Sequence, residues 1–140
     1  MIVDASVWIA SVLQDEPRHR DCLDFLHRLV LEQSIATVPL LAWAEIAGAV
    51  ARRCQDAAQG QKVVDTIAAK TWVNGVAIDV TLANEAARLA AELRLRGGDA
   101  VYVALAALRC EPLVSLDDEM IERAAPVVAA LTPRLWLARR

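Results

Sequence analysis

Short β-branched or apolar runs in this 140-residue chain alternate with longer stretches of helical periodicity, and no two runs lie close enough to be joined by a hairpin. Residues 2–4 (IVD), 34–38 (SIATV), 72–79 (WVNGVAID) and 112–115 (PLVS) read as strands, with 135–137 (LWL) as a candidate edge strand. Between them, residues 6–13, 18–33, 39–54, 56–70, 80–96, 99–109 and 118–124 read as helices. Connections of that length are crossovers, so the strands must run mainly parallel with helices over both faces, an α/β sandwich. Pro39 suits the first turn of its helix. Leu82, Ala86, Leu89, Ala90 and Leu93 line one face of the 80–96 helix, and Gly97-Gly98 is expected to stop it.

The length is that of one ordinary domain, so residues 1–140 are read as a single unit. Its side chains are 56% hydrophobic but only 4% aromatic, which requires an interior of Ala, Leu and Val and close helix packing. Cys22, Cys54 and Cys110 are odd in number and form no CxxC pair, which argues against a disulfide framework and a thiolate zinc site. No basic segment precedes an apolar one at the start, and no uncharged stretch approaches a membrane span. The expectation is a cytoplasmic protein.

A net charge of -3 is wrong for a module that grips nucleic acid by neutralising many phosphates. All but two of the 15 basic residues are arginines, several clustered, as in Arg52 with Arg53, Arg94 with Arg96 and Arg139 with Arg140. Most read as solvated surface; a minority suits bidentate phosphate contact. A nucleic-acid partner would still need something else to offset the repulsion.

Four solitary carboxylates supply a candidate. Asp4 ends the first strand and is the only ionisable side chain before Asp15. Glu45 stands alone between Glu32 and Arg52, Asp99 is the only charged residue between Arg96 and Arg109, and Asp117 follows the PLVS strand. In open α/β sheets functional groups collect beyond the carboxyl ends of strands. Isolated acids in apolar surroundings are costly unless a partner compensates. Each of Asp4, Asp99 and Asp117 also reads as a helix N-cap, worth roughly 1 kcal/mol. Glu45, about two turns into its helix, lies beyond the reach of that explanation, though a distant Arg would satisfy it. Jointly they offer what a hard divalent ion requires, oxygen donors and local negative charge. Such an ion bridges acids to a phosphodiester and lowers the pKa of bound water. His19 and His27, on one Arg-rich helix, read as surface or packing residues.

The ordered set IVDASVWIA, PLLAWAEI, GDAVYVALA and LVSLDDEM resembles the PIN-domain family, and within it the VapC type of toxin ribonuclease. The resemblance spans nearly the whole chain. It implies a three-layer α/β/α domain with a mainly parallel sheet of four or five strands. It also implies an acidic, metal-binding pocket of Asp4, Glu45, Asp99 and Asp117, assisted by hydrogen bonds from Ser6 and Ser115, with Mg²⁺ or Mn²⁺ as cofactor. Activity on RNA, a homodimer and a silencing cognate antitoxin follow from the same resemblance. Asp117 is chosen over Asp118 because it lies two residues after Ser115. Arg94 and Arg96 are candidates for steering RNA toward Asp99. One geometric difficulty accompanies this reading: two antiparallel helices between Ile78 and Pro112 would, by the simplest path, bring Asp99 to the wrong edge of the sheet. A sharp reorientation at Gly97-Gly98, with the preceding helix oblique, is the expected solution.

Two other classes compete. A phosphoacceptor domain would use Asp79, but Lys62 and Lys70 both lie before that strand instead of near the phosphoryl group. A catalytically silent PIN-fold interaction module would bind a partner through apolar grooves, with Trp8, Trp43, Trp72 and Trp136 available; the full set of acids speaks against it.

Overall fold

The computed structural model describes residues 1–139; Arg140, the second member of the terminal arginine pair, lies outside the described residues. Five parallel strands form one sheet: β1 (Ile2–Val3), β2 (Ala36–Pro39), β3 (Val73–Val76), β4 (Leu113–Val114) and β5 (Ala130–Leu131), in the order β3-β2-β1-β4-β5. The order runs outward from β1 in one direction and then reverses, so β1 and β4 flank a topological switch point. β1 and β4 are fully buried, as continuous apolar strands of a parallel sheet should be.

Helices α1 (Ala5–Val12), α2 (His19–Leu31), α3 (Leu41–Cys54) and α4 (Ala57–Ala68) form one linked group, α1 packing on α2 and α3, and α3 on α4. Helices α5 (Val80–Leu93) and α6 (Gly97–Arg109) form a second pair, of which α6 lies on β1, β2 and β4. Right-handed crossovers on either side of the reversal place the two groups on opposite faces, giving the three-layer α/β/α sandwich. The α6 run AVYVALAAL is apolar nearly all round and is buried accordingly. α7 (Asp118–Ala124) and α8 (Pro133–Leu137) complete the chain.

Several local expectations are corrected. Residues 135–137 belong to α8, not to a strand: Thr132 caps the helix by accepting from the Leu135 amide at 3.2 Å, and Pro133 occupies its first turn. The edge strand is β5, just upstream. Pro39 is the last residue of β2, on the side of the strand that faces the end of β1, and α3 begins at Leu41. Gly97 and Gly98 do not stop α5. Arg94 does, in the left-handed region at φ 56°, and both glycines form the first turn of α6. Gly98 allows a close approach, since a Cβ there would sit 3.4 Å from Glu45 Oε1. This also resolves the path of Asp99. α6 is itself the crossover helix, starting beside the carboxyl ends of the strands and feeding β4 from the opposite edge, where Glu111 pairs with the N-terminal amine at 2.8 Å. α5 is an added helix packed on it.

Cys22 is buried, Cys54 and Cys110 are exposed, and all three are free thiols. His19 is spent on packing, its Nδ1 lying 2.8 Å from the Ala10 carbonyl. Among the described residues no helix is long and apolar enough to cross a membrane.

Candidate active site

Asp4 follows β1 at the switch point and is only 8% exposed. It N-caps α1 with β-region φ/ψ, its Oδ2 accepting weakly from the Ser6 amide at 3.4 Å. The cap reading is therefore correct but incomplete. The same Oδ2 also accepts from the Ser6 hydroxyl and, at 2.8 Å, from the Ser115 hydroxyl on the strand end across the switch point. Each hydroxyl is itself held by a backbone amide: Leu116 N–H donates to Ser6 Oγ at 3.1 Å and Asp117 N–H to Ser115 Oγ at 3.0 Å. The β4–α7 turn thus delivers the Ser115 hydroxyl to Asp4 Oδ2 and orients the Ser6 hydroxyl of α1 for the same oxygen, and no protein donor reaches Oδ1 among the described residues. Burial pushes the Asp4 carboxyl above its ordinary range, the two hydroxyls pull it back, and the charge of Asp99 raises it further.

Glu45 lies in the second turn of α3, half-buried, and reaches toward α6. Tyr102, buried and one turn along α6 from Asp99, donates its hydroxyl to Glu45 Oε2 at 2.5 Å. Burial raises the Glu45 carboxyl, the tyrosine lowers it, and the charges of Asp4 and Asp99 raise it again. Burial and the nearby acids push the Tyr102 phenol upward, keeping it a donor. Asp4, Glu45 and Asp99, from three distant parts of the sequence, are thereby within electrostatic reach of one another.

Asp99 sits in the first turn of α6 and Asp117 N-caps α7, its Oδ1 accepting from the Met120 amide at 3.0 Å. Arg96 joins them: its Nε donates to Asp99 Oδ2 at 2.8 Å and its Nη2 to Asp117 Oδ2. The expectation of acids without a fixed cationic partner thus needs correction for these two. It holds for Asp4 and Glu45, which no Lys or Arg reaches among the described residues. Asp118 is exposed in the first turn of α7, outside this network. Arg94 is exposed; its N–H donates to the Ala90 carbonyl at the end of α5 and its carbonyl accepts from the Arg123 guanidinium. Asp79 N-caps α5, accepting from the Leu82 amide at 2.8 Å.

Tyr102 went unread in the sequence. The available signal was its place three residues after Asp99, one helical turn on, as the only tyrosine of the chain. The donor chemistry suits a hard divalent ion: carboxylate oxygens brought from separate elements to one end of the sheet, with no thiolate and no imidazole. As arranged here, no three His, Cys, Asp or Glu side chains among the described residues are grouped to hold an ion. The serines, the tyrosine and Arg96 hold them instead.

The fold is that of several solved structures. VapBC2 of Rickettsia felis, bound to a DNA fragment from its promoter, superposes with a TM-score of 0.73 at 12% identity, over 94% of this chain and 96% of the other. The sarcin-ricin-loop-cleaving toxin VapC20 of Mycobacterium tuberculosis gives 0.72 at 20% identity, over 91% and 95%. FitAcB of Neisseria gonorrhoeae gives 0.69 at 17%, over 95% and 97%. No curated protein matches the sequence. The family model of the PIN domain matches residues 1–126, nearly all of the chain that builds the sheet and the acidic pocket, and the chain belongs to the PIN-domain family.

Proposed function

We propose that the chain is a Mg²⁺- or Mn²⁺-dependent endoribonuclease, the toxin of a VapC-type toxin–antitoxin pair, acting in the cytoplasm as a homodimer. One observation carries this reading. A nearly buried carboxylate, Asp4, lies at the switch point of the sheet within electrostatic reach of two further acids, with its charge uncompensated by any cation among the described residues. Retaining such a group costs stability, and a dication supplied from solution is what offsets it. The silent-module alternative leaves that burial unexplained.

The acidic pocket formed by Asp4, Glu45, Asp99 and Asp117 is where the ion binds in this reading. When bound, the ion polarises a phosphoryl oxygen and favours ionisation of water. The protein's own groups do the rest. Ser6 and Ser115 lock the Asp4 carboxylate in one orientation, leaving Oδ1 free. Tyr102 does the same for Glu45, leaving Oε1 free. An ionised carboxylate of this set orients the attacking water and accepts its proton. Arg96, at the rim, draws the phosphodiester toward Asp99, with Arg94 adding to the local positive potential.

An antitoxin partner is supported by a separate feature. An apolar groove of about 370 Å³ is lined by Trp8, Val12, Leu26, Val30, Val63 and Ile67, and also by Lys62 and Lys70, the only two lysines of the chain. That combination suits an amphipathic segment with acidic flanks. A solved toxin–antitoxin complex from Klebsiella pneumoniae that shares the fold accords with such a partner.

The test is cleavage of single-stranded RNA with Mg²⁺ or Mn²⁺, and its loss with chelator. Asp4→Asn should abolish cleavage while the circular dichroism spectrum is unchanged. Full activity of a folded Asp4→Asn protein refutes the assignment.

A further inference from the structure

The four acids are not equivalent in their surroundings. Asp4 Oδ1, Glu45 Oε1 and Asp99 Oδ1 accept no hydrogen bond from the described residues, whereas both oxygens of Asp117 are engaged, one by the Met120 amide and the other by Arg96. Asp99 and Asp117 both bear on Arg96, Asp99 more strongly. The Arg96 side chain is 70% exposed, yet its guanidinium is held at both ends by carboxylates on two different elements, the first turn of α6 and the cap of α7. Ordering so long a side chain costs about 2 kcal/mol of rotamer entropy, which the two acids offset, and it leaves the guanidinium in one direction.

We propose that Asp117 is a positioning residue for Arg96 and not a metal ligand. The ion-holding set is Asp4, Glu45 and Asp99, and Arg96, tethered between Asp99 and Asp117, is the group that receives the RNA phosphate. A planar guanidinium bound along one edge by acids still offers N–H donors on another, which an ammonium on a flexible stem does not present in fixed geometry. The inference rests on the metal-nuclease reading and deepens it. It predicts that the fourth acid acts on substrate affinity, while the other three act on affinity for the ion.

Asp117→Asn is the informative variant, because Asn caps helices as well as Asp and α7 is preserved. Mn²⁺ binding is followed by electron paramagnetic resonance on the intact protein, without RNA. The expected result is an Asp117→Asn dissociation constant within about fivefold of wild type, the residue of a through-space field, against a loss above about a hundredfold for Asp99→Asn, which removes a donor and its charge. In chelator, binding of a short fluorescein-labelled single-stranded RNA is measured against salt. Arg96→Gln should lower the slope of log K on log salt by about 0.7, one phosphate contact, and Arg96→Lys should keep the slope with reduced affinity. Asp117→Asn as damaging to Mn²⁺ binding as Asp99→Asn overturns the inference, as does an unchanged slope in Arg96→Gln. Absence of saturable Mn²⁺ binding by the wild type is a different result: it removes the metal reading itself, and the inference with it.

Discussion

Replacing Asp4 by Asn should make the protein more stable while destroying its function. The carboxylate is 8% exposed, burial is the largest influence on it, and Asp99 adds repulsion. Removing an ion from such a place relieves several kcal/mol of desolvation in principle, of which the donors from Ser6, Ser115 and the Ser6 amide already return a large part. Asn keeps an acceptor oxygen for those donors and keeps the α1 cap. It forfeits the attraction of a negative charge to the helix N-terminus, about 0.5 kcal/mol. The net is a gain of about 1–2 kcal/mol, or roughly 3–6 °C in Tm for a domain of this size. The sign with pH follows from the raised pKa. A carboxyl whose folded pKa lies above its unfolded value contributes stability that is present below the ordinary carboxylate range and lost as pH rises through the folded pKa. The advantage of Asp4→Asn over wild type should therefore be near zero around pH 4 and grow toward pH 7.5. Urea denaturation in the presence of chelator, at a series of pH values, measures it. An Asp4→Asn protein that is less stable than wild type at pH 7.5, or whose difference does not change with pH, refutes the reasoning and leaves Asp4 a simple helix cap.

Tyr102→Phe removes the only donor to Glu45 Oε2, so the Glu45 carboxyl should move further up and the metal-free protein should lose about 1 kcal/mol, part of the charged hydrogen bond being replaced by water at this half-buried group; chemical denaturation reads the loss, and Mn²⁺ affinity should suffer more at pH 6 than at pH 8. In the wild type, Mn²⁺ affinity should fall with acidification already above the ordinary carboxylate range, because Asp4 and Glu45 must give up protons to bind and both hold them more tightly than free acids do; calorimetry across pH shows this, and a fall only below pH 4.5 contradicts it. Gly60→Ala should destabilise by about 1–2 kcal/mol despite the better helix propensity of Ala, since its Cβ would sit 2.4 Å from the Ala47 carbonyl oxygen where α4 crosses α3; thermal melting checks it.

The parallel α/β architecture was legible because the runs between strands are too long for hairpins, and the carboxyl-edge acids because Asp4 and Glu45 interrupt apolar stretches. The order of strands was not. Nothing in residues 2–3 or 113–114 says that they pair, and so nothing said that Ser115 would donate to Asp4 across the switch point. The turn before Asp99 was misassigned because two consecutive glycines look like a helix stop, whereas Arg94 takes the left-handed conformation and the glycines open α6, Gly98 beside Glu45. The LWL segment has strand-like composition, but Thr132 and Pro133 before it are a helix start. Arg96 stood three residues before Asp99, a visible helical pair; its second contact, to Asp117, depends on tertiary structure alone.

The account stands on acids gathered from separate elements to share one dication. A crystal soaked in Mn²⁺ and measured at the manganese absorption edge is the direct examination: anomalous density should appear among Asp4, Glu45 and Asp99, with Arg96 still held by Asp117. Density elsewhere, or none at saturating Mn²⁺ in well-ordered crystals, contradicts it.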